Sequence, residues 1–507
     1  MDASGQAAPQ RILIVGGGTA GWMAAAALAR FLERGWEVAL VESEAIGTVG
    51  VGEATIPQIR LFNAALGLDE DAFLRATQGS FKLGIAFAGW GAPDGLYCHG
   101  FGAVGRDLGL LPFHHYWLRA RALGLAGPLG DHCPNVVAAF ANRFDRQAEA
   151  GHPARPPMPY AFHFDAALYA AHLRAYAEAR GVIRHEGRVI GVCRDGETGD
   201  IAEVRLEGER RLCADLFLDC SGFRGLLMEA LDVGYEDWSR WLPCDRALAV
   251  PSARTEPLAP YTRATARRAG WQWRIPLQHR TGNGLVWCSA EMGEAEAAET
   301  LLANLEGAPL ADPRPLRFTT GRRARFWERN CVALGLASGF LEPLESTSIH
   351  LVQSAIERFL AFLPAGRPDP RATAEYNRQT AFEMERIRDF LILHYHANRR
   401  SEPFWRACAA MEVPESLAAR IALFREAGRI FRDGNELFAE AGWVQVLIGQ
   451  GVLPERWHPL ADQLPPAELA GFVGLVARLA RERAAAMPGH GAFLARHAAA
   501  PQLGAAA

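Results

Sequence analysis

The sequence predicts an α/β fold of Rossmann type with a helical C-terminal region, on three observations. A short apolar run, 11–15, leads into the glycine turn Gly16–Gly21, and an alanine-rich helical pattern follows through Leu32. A second apolar run, 36–42, closes this unit as a strand. Beyond about residue 370 the apolar spacing is helical. Strand, glycine turn, helix and strand in this order predict one half of a doubly wound, dinucleotide-binding fold.

Each position of the glycine turn has a physical reason. Gly16 allows the tight turn, Gly18 lets the backbone approach a pyrophosphate, and Gly21 allows close contact between helix and strand. The helix begins at Thr19–Ala20, where free N–H groups and the positive end of the helix dipole bind phosphate. Glu42 lies 21 positions past Gly21, where an acid binds the hydroxyls of an unphosphorylated ribose. The unit predicts a dinucleotide site and leaves NAD and FAD both open.

The length and the net charge of the chain limit the number of domains and the kinds of partner to be expected. At 507 residues the chain exceeds an average domain, so we expect two or three structural units, or one large domain with insertions. Hydrophobic residues make up 50% and charged residues 22%, an ordinary globular composition. A net charge of −4 shows no excess of basic residues that would attract nucleic acid or an anionic membrane. Small molecules or proteins are the expected partners, and the chain is expected to be a monomer or homodimer.

Cysteine usage and the N-terminus predict a cytoplasmic protein. Nine cysteines, an odd number without a Cys-x-x-Cys pair, suit a reducing compartment and argue against a disulfide framework or zinc site. Met1–Gln10 lacks the basic and apolar regions of a signal peptide, and no run of 18 apolar residues occurs. His114–His115 and the pair His394 and His396 lack a nearby acid or cysteine to complete a ligand set, so no metal is predicted.

A second dinucleotide contact is predicted where an apolar strand ends in Asp219 and Gly222 follows. This strand comes after a β-meander over 182–195 and 201–208, an order found in many FAD enzymes, where Gly222 would give backbone access. Because Cys220–Gly222 does not complete a G-x-S-x-G motif, a nucleophile elbow is rejected.

Two segments interrupt this FAD-binding pattern. Residues from about 88 to 160 are aromatic and glycine-rich and are interpreted as an insertion covering a pocket, while residues 240–320 alternate turns and strands. The predicted organisation is an FAD-binding domain over 1–370 with these interleaved substrate-binding segments, a helical region over 371–495 covering the substrate site, and a disordered tail over 496–507. Further predicted elements are helices at 165–181, 371–394, 416–432 and 466–486, and strands at 80–87, 270–277 and 330–337.

Gly339–His350 is the stretch with the densest chemistry. Glu342 and Glu345 lie three positions apart, and the hydroxyls of 346–348 stand directly before an amphipathic helical pattern. Hydroxyl side chains can cap a helix start, and the free N–H groups there can bind an anion. A capped helix with solvated acids is the plainer interpretation of this stretch alone.

Lys82 and two tryptophans admit both structural and functional interpretations. Lys82 is a lone cation in an apolar run, and snorkelling to solvent is the commoner fate of such a lysine. Trp271 and Trp273 lie two positions apart and therefore on one face of a predicted strand. Ordinary sheet packing explains that pair as well as a ligand-binding wall does.

Five motifs taken together resemble the flavin-dependent halogenases of the tryptophan-halogenase family. They are Gly16–Gly21, Gly50–Pro57 (GVGEATIP), Phe81–Gly84 (FKLG), Trp271–Pro276 (WQWRIP) and Phe340–Thr347 (FLEPLEST). They occur in the family's order over about 330 residues. The tryptophan motif together with the lysine is far more specific than the glycine turn.

The resemblance implies an α/β, FAD-binding Rossmann-type (flavin monooxygenase-like) fold with an inserted β-sheet/aromatic substrate region and a helical C-terminal region. It also implies an enzyme that uses FADH2, oxygen and a halide ion to make hypohalous acid, which halogenates an electron-rich aromatic such as indole or tryptophan. A separate NAD(P)H flavin reductase would supply the FADH2, because the sequence contains no second dinucleotide motif for NAD(P)H.

The resemblance assigns roles to individual residues. Lys82 would hold the electrophile by hydrogen bond or as a haloamine, and Glu345 would orient it or accept the proton that leaves the ring. The other implied positions are Ala54 and Leu336 at FAD, Thr347 and Ser348 at the halide, His99, Phe101 and Trp443 at the substrate, and Trp271, Trp273 and Ser346 along the channel.

Two departures from the family pattern bear on specificity. Ser348 stands where tryptophan-specific members usually carry glycine, a form similar to a branch that acts on free indoles and often prefers bromide. No C-terminal tyrosine-rich segment matches the one that holds the amino-acid end of tryptophan. The alternatives are a single-component FAD aromatic hydroxylase, distinguished by product mass, and a non-catalytic flavoprotein, indicated by no turnover of an indole panel.

Overall fold

The computed structural model describes residues 9–32, 34–46, 52–146 and 158–502. Its strands, in chain order, are β1 Gln10–Val15, β2 Trp36–Glu42, β3 Gly52–Ala54, β4 Ser80–Lys82, β5 Gly84–Ala88, β6 Leu96–Gly100, β7 Ala161–Asp165, β8 Ile183–Glu186, β9 Val189–Arg194, β10 Ile201–Leu206, β11 Arg211–Cys213, β12 Leu216–Asp219, β13 Tyr235–Asp237, β14 Arg246–Ala253, β15 Thr262–Arg267, β16 Gly270–Pro276, β17 Arg280–Trp287, β18 Arg314–Arg317, β19 Gly321–Arg323, β20 Trp327–Glu328, β21 Cys331–Ala333 and β22 Gly339–Phe340.

The helices follow the same order. They are α1 Thr19–Phe31, α2 Gln58–Ala65, α3 Glu70–Ala76, α4 Phe113–Ala122, α5 Pro134–Phe140, α6 Ala166–Glu178, α7 Leu226–Ala230, α8 Glu294–Ala303, α9 Ser348–Ala361, α10 Pro370–His396, α11 Pro403–Ala410, α12 Glu415–Ala427, α13 Glu440–Gly449, α14 Pro466–Ala485 and α15 His490–His497. Short 3₁₀ turns lie at Leu129–His132, Gly222–Arg224, Gly335–Ala337, Pro343–Glu345 and Pro459–Gln463.

A six-stranded sheet forms the predicted Rossmann-type core, in the order β20-β21-β12-β1-β2-β8. β1 pairs in parallel with β2 on one side and β12 on the other. Helix α1 packs against α6 and α9 on one face of this sheet. Parallel strands bring their carboxyl ends to one edge, so the glycine turn, Glu42 and Asp219 lie at the same edge. The predicted fold class is therefore confirmed.

A seven-stranded, mostly antiparallel sheet carries the inserted segments, in the order β18-β14-β17-β16-β15-β5-β6. Its strands come from 84–100 and 246–317, so the two interruptions of the FAD-binding pattern share one sheet. The predicted single strand over 80–87 is wrong, because β4 pairs with β7 in a separate three-stranded sheet while β5 joins the seven-stranded one. Leu83 between them donates its N–H to Pro260, and its carbonyl accepts from Phe101.

Three other predicted boundaries shift. The run 182–195 is two strands, because β8 extends the parallel sheet while β9 starts the β9-β10-β11 meander. The strand predicted over 330–337 ends at Ala333 and gives way to a 3₁₀ turn. The helix predicted over 416–432 ends at Ala427, where Gly428 adopts φ +65°.

The C-terminal helices pack back onto the inserted segments. α10 packs against α9, α11, α12 and α13, α13 packs against β6, and α14 packs against α4 and α5. The division into an FAD-binding domain and a helical covering region stays a prediction. The tail is ordered further than predicted, since Gln78 and Gln278 hydrogen-bond the backbone of 498–501. Residues 503–507 lie outside the described part of the chain.

Within the described ranges, no helix combines the length and apolar character needed to cross a bilayer. All nine cysteines are free. The cytoplasmic location stays a prediction.

Candidate active site

The glycine turn lies between β1 and α1 and opens onto a cleft. Gly16 has a φ of +115°, and a Cβ there would lie 2.2 Å from the Cys220 carbonyl oxygen. A Cβ at Gly21 would lie 1.9 Å from the Gly16 carbonyl oxygen, so helix and strand approach closely, as predicted. A Cβ at Gly18, by contrast, would meet no atom of the described residues within 4 Å. The Gly18 backbone is therefore free to face a pyrophosphate.

The cleft has a volume of about 820 Å³, within the range of small-molecule and cofactor sites. It runs from the glycine turn to the first turn of α9. Most of the predicted cofactor contacts line it, namely Gly16, Gly18, Thr19, Ala20, Glu42, Ala54, Gly222 and Leu336. An open, glycine-floored cleft at the carboxyl edge of a parallel sheet fits an FAD-sized dinucleotide.

Glu42 is held in place at the end of β2. Its carboxylate accepts a 2.7 Å hydrogen bond from Nε of Arg184 and lies 3.6 Å from the guanidinium of Arg174. The indole N–H of Trp22 donates to the other oxygen at 3.4 Å. A positioned acid lining the cleft has the geometry of a ribose ligand, which stays a prediction.

Asp219 does not line the cleft, contrary to its predicted contact with the dinucleotide. Its side chain is completely buried, and one carboxylate oxygen accepts from the backbone and hydroxyl of Ser221. The other oxygen accepts from the backbone N–H groups of Leu227 and Met228. Because both oxygens are used within the protein, Asp219 fixes the turn that presents Gly222 to the cleft.

The motif Gly50–Pro57 is only partly described. Residues 47–51 lie outside the described part of the chain, and β3 places Glu53 and Ala54 on the cleft wall. Burial, together with the nearby charge of Asp165, raises the pKa of Glu53 to about 7.

Lys82 ends β4 and is completely buried, so it does not snorkel to solvent. Its Nζ donates a 2.7 Å hydrogen bond to Oγ of Ser346 and lies 5.3 Å from the centre of the Phe101 ring. Burial lowers the pKa of Lys82 to about 7, and the charge of Glu345 opposes this shift in part. Both the amine and the ammonium form are accessible near neutral pH.

Glu345 ends the 3₁₀ turn before α9 and lies between two histidines. Oε2 is 2.8 Å from Nδ1 of His99, and Oε1 is 2.9 Å from Nε2 of His394. The second pair of atoms is close enough for a polar contact, but neither atom has an aligned hydrogen-bond partner among the described residues. Burial alone would raise the pKa of Glu345, but the charge of His99 and the contacts of both histidines outweigh it and lower the pKa to about 2. The structure therefore presents Glu345 as an anion.

Glu342 is also buried, so the interpretation of solvated acids is wrong. Its Oε2 accepts from the indole N–H of Trp271 at 2.9 Å and from the hydroxyl of Tyr395 at 2.5 Å. Burial raises its pKa to about 7, and these two hydrogen bonds oppose the shift. Glu342 therefore holds Trp271 in place through the indole N–H.

The two tryptophans and Ser346 form the wall between the cleft and Lys82. The rings of Trp271 and Trp273 are 6.0 Å apart, as expected for positions on one face of β16. Trp273 and Ser346 line the cleft, whereas Lys82 and Trp271 do not. Ser346 adopts a left-handed φ of +59°. It both lines the cleft and accepts the hydrogen bond from Lys82.

Helix α9 starts without the predicted hydroxyl cap. Thr347 occupies the N-cap position, but its side chain does not accept from the helix N–H groups. Its Oγ1 is buried and has no hydrogen-bond partner among the described residues. Ser348, the first residue of α9, lines the cleft. A helix start with spare N–H groups and a spare hydroxyl suits an anion.

Beyond Lys82 lies a group of aromatic side chains. The His99 ring lies 5.6 Å from Phe390, which stacks on Phe438 at 3.9 Å and meets Trp443 edge-on at 4.8 Å. The indole N–H of Trp443 is buried and has no partner among the described residues. Phe101, on the near side, contacts Lys82. The three predicted substrate residues thus belong to one region of the protein.

His394 and Phe390 are the residues that the sequence analysis missed here. His394 was considered only as a metal ligand with His396. The available signal was the spacing of four between Phe390 and His394, which places both on one face of a helix. The acid near His394, Glu345, comes from a distant part of the chain, so no sequence pattern around residues 390–394 indicates the contact.

Comparison with known proteins gives a consistent result. The family model described as tryptophan halogenase matches residues 11–466. Tryptophan 6-halogenase SttH from Streptomyces toxytricini is 36% identical over 488 residues, covering 90% of this chain and 92% of that protein. Xcc4156, a flavin-dependent halogenase from Xanthomonas campestris, has a TM-score of 0.95 at 51% identity, covering 98% of this chain and 99% of that one. BrvH, a flavin-dependent halogenase from Brevundimonas sp. BAL3, has a TM-score of 0.92 at 45% identity, covering 97% and 99%.

Fold and site together define an FAD-binding oxidoreductase of the flavin-dependent halogenase type. The cleft has the size and the glycine turn that suit a dinucleotide, and a buried lysine lies beside it. The chain belongs to the tryptophan halogenase family.

Proposed function

We propose that this protein uses FADH2, oxygen and a halide ion, bromide or chloride, to make hypohalous acid, and that Lys82 and Glu345 direct the halogen to an electron-rich aromatic such as indole or tryptophan. One observation carries the proposal. Ser346 lines the cleft and accepts a hydrogen bond from the buried Lys82, so a reagent made in the cleft has a receiving amine one side chain away.

FAD would be held by the glycine turn, with Glu42 at the ribose and Gly222 at the far side of the pyrophosphate. Bound FAD, delivered reduced by a separate NAD(P)H flavin reductase, would supply the electrons that activate oxygen. The expectation of a separate reductase rests on the lack of a second dinucleotide motif in the sequence. The protein's own part is to bind the cofactor, exclude water and receive the product of that chemistry.

The halide would bind at the start of α9. Thr347 offers a buried hydroxyl that has no partner among the described residues, and Ser348 faces the cleft beside the spare N–H groups of the helix. This arrangement suits an anion of one charge. Ser348 occupies more space than glycine would, so it narrows the site and bears on the choice between bromide and chloride.

Lys82 would receive the halogen. In its amine form, Nζ can attack the halogen of hypohalous acid, so that an N–halogen bond forms, the O–halogen bond breaks, and the hydroxyl group leaves as water with a proton from Nζ. In its ammonium form, Nζ can donate to the oxygen of hypohalous acid and polarise the halogen. Glu345, as an anion, offsets part of the desolvation of Lys82 and so favours its ammonium form. Trp271 and Trp273 would keep the aromatic substrate out of the cleft and so favour halogenation over hydroxylation.

The aromatic substrate would bind among His99, Phe101 and Trp443. Ring-lined walls suit a flat, electron-rich molecule. SttH is named for action on tryptophan at position 6, which supports an indole ring as the acceptor. The sequence contains no match to the tyrosine-rich amino-acid clamp, which favours indoles without an amino-acid end.

The test combines the enzyme with a flavin reductase, NADH, FAD and either indole or tryptophan, in equimolar chloride and bromide. Mass spectrometry should show one halogen added to the substrate, and its isotope pattern identifies the halide. Lys82→Met removes the amine at similar volume and should abolish this product while FAD still binds. Hydroxylated product, turnover without added reductase, or halogenation by Lys82→Met would contradict the proposal.

A further inference from the structure

We propose that Thr262 accepts a hydrogen bond from an N–H group that the reduced flavin ring carries and the oxidised ring lacks, and that His163 and Ser80 hold it in this accepting role. This deepens the proposed function, because it rests on FAD as the cofactor of the cleft. Thr262 is then a cofactor-binding residue, and His163 and Ser80 are positioning residues. The site prefers the cofactor in its reduced form.

Thr262 connects the wall of the cleft to a buried histidine. It is the first residue of β15 and lines the cleft. Ala264 pairs with Trp273 across β15 and β16, so Thr262, two positions earlier, lies on the same face of the sheet near that tryptophan. Oγ1 of Thr262 lies 2.9 Å from Nε2 of His163, a completely buried residue of β7. A side chain that solvent does not reach therefore controls the hydroxyl of Thr262.

The hydrogen bonds of Ser80 determine which nitrogen of His163 carries a proton. Oγ of Ser80 lies 2.6 Å from the carbonyl oxygen of Pro276, and because a carbonyl only accepts, the single hydroxyl proton points there. Nδ1 of His163 lies 3.1 Å from the same Oγ. Since the proton of Ser80 is already used, Nδ1 is the donor in this contact and carries a proton.

The other nitrogen of His163 is an acceptor, because the ring is neutral. Burial, with Lys82 and His490 nearby, lowers the pKa of His163 well below its usual value. A neutral imidazole with a proton on Nδ1 has a lone pair on Nε2. Oγ1 of Thr262 donates its only proton to this lone pair. What Thr262 can offer to a ligand in the cleft is therefore an acceptor.

The direction of this chain of hydrogen bonds is fixed. The protons run from Thr262 to His163, then to Ser80, and end at the carbonyl oxygen of Pro276. Turning the hydroxyl of Thr262 toward the cleft as a donor would leave Nε2 of His163 buried without a partner among the described residues, which is unfavourable. Thr262 therefore discriminates between ligands that donate to it and ligands that do not.

Strand β4 reaches the cleft at two points. Ser80 and Lys82 lie two positions apart and so on one face of β4. Lys82 donates to Ser346, and Ser346 lines the cleft, as Thr262 does. Because the halogenating reagent has to form within reach of Ser346, the reactive part of the flavin ring belongs at this end of the cleft.

The two oxidation states of the flavin ring differ in this part of the ring. The reduced ring carries a hydrogen on N5, whereas N5 of the oxidised ring has a bare lone pair. A fixed acceptor attracts the N–H group and repels the lone pair. Thr262 therefore favours the form of the cofactor that reacts with oxygen.

The first experiment measures the affinities for FADH2 and FAD by equilibrium dialysis under anaerobic conditions. Thr262→Val removes the hydroxyl at similar volume, and the preference for FADH2 over FAD should fall on the order of tenfold. Thr262→Ser keeps the hydroxyl and should keep the preference. The control is Thr380→Val, because Thr380 is a buried threonine of α10 whose hydroxyl donates to the carbonyl of Tyr376. An unchanged preference in Thr262→Val would overturn the proposal.

A second comparison tests the positioning role of His163. His163→Phe frees the hydroxyl of Thr262 to turn and donate, so the preference for FADH2 should fall as it does in Thr262→Val. His163→Gln offers one donor and one acceptor and should recover part of the preference. A purely structural role would lower Tm, or weaken the binding of both forms equally, in both variants. That result would overturn the positioning role.

A third measurement needs neither cofactor nor turnover. In ¹⁵N-histidine-labelled enzyme, the signals that disappear in His163→Phe should show a protonated Nδ1 and an unprotonated Nε2, and a proton on Nε2 would overturn the proposal. If the wild type halogenates and Thr262→Val keeps the preference for FADH2, this inference fails and the proposed function stands. If the preference depends on Thr262 but the wild type makes no halogenated product, the inference stands and the proposed function fails.

Discussion

Lys82 and Ser346 stand 264 positions apart in the chain and meet through a 2.7 Å hydrogen bond from Nζ to Oγ. Lys82 is buried behind the wall that Trp271, Trp273 and Ser346 form, and Ser346 lines the cleft. The hydrogen bond therefore joins the two halves of the site through one hydroxyl.

The pKa of Lys82 predicts the pH dependence of halogen transfer. The amine form appears as pH rises through about 7, so its population grows about tenfold between pH 6 and pH 8. If an N–halogen bond forms, single-turnover halogenation should rise by about this factor and then level off. Rapid-quench product analysis measures it. A rate that falls across this window would assign the ammonium form, acting as a hydrogen-bond donor.

Glu345→Gln should change both the rate and its pH midpoint. The charge of Glu345 raises the pKa of Lys82, so removing it should move the midpoint of the profile below 7. We expect halogenation to fall on the order of 10²-fold, because the lysine and the two histidines lose their common anion. Glu375→Gln is the control, since Glu375 is a partly exposed acid on α10 that pairs with Arg378 and not with Lys82. An unchanged midpoint would remove Glu345 from the electrostatics of Lys82.

Glu342→Gln should stabilise the fold at neutral pH but not in acid. Burial raises the pKa of Glu342 to about 7. The stabilisation that comes from protonating Glu342 in the folded protein is therefore fully present below its ordinary pKa of 4.5 and is lost as the pH rises through 7. An amide oxygen can still accept from Trp271 and Tyr395. We expect a gain of at most about 3 kcal/mol in the free energy of unfolding at pH 8 and little at pH 4.5, measured by urea denaturation. Equal effects at both values would contradict the raised pKa.

Gly18→Ala and Gly21→Ala form a matched pair at the glycine turn. A methyl group at Gly18 projects into open space, so Tm should stay unchanged while FAD affinity falls. At Gly21 the same methyl group meets the Gly16 carbonyl oxygen at 1.9 Å, so Tm should fall. Thermal unfolding and flavin fluorescence distinguish the two effects. Unaltered FAD affinity in Gly18→Ala would place the pyrophosphate elsewhere.

Local signals made part of the fold predictable. The glycine turn, Glu42 and α1 follow from spacing along one short unit, and the helices of the C-terminal region follow from apolar periodicity. The change of sheet at Leu83 was not predictable, because an apolar run looks the same whether its residues join one sheet or two. Asp219 was misassigned for a related reason, since a sequence does not say whether a carboxylate turns toward a ligand or toward backbone N–H groups.

The candidate site was predictable where motifs are contiguous and not where partners are remote. Glu345, Thr347 and Ser348 lie in one stretch, and the resemblance connected them to Lys82. His394 was missed because a histidine on a helix has many possible partners, and only the folded chain brings it to Glu345. Glu342 was set aside as a solvated acid, although burial on all sides makes it the anchor of Trp271.

At Leu83 the chain passes from one sheet to another, so the position of Lys82 depends on both sheets. Lys82 ends a strand of one sheet and Gly84 begins a strand of another, so the distance between Lys82 and Ser346 depends on the relative position of the two sheets. Warming should therefore let oxidised halogen leak into solvent before the protein melts. The yield of halogenated product per molecule of oxygen consumed should decline several degrees below Tm.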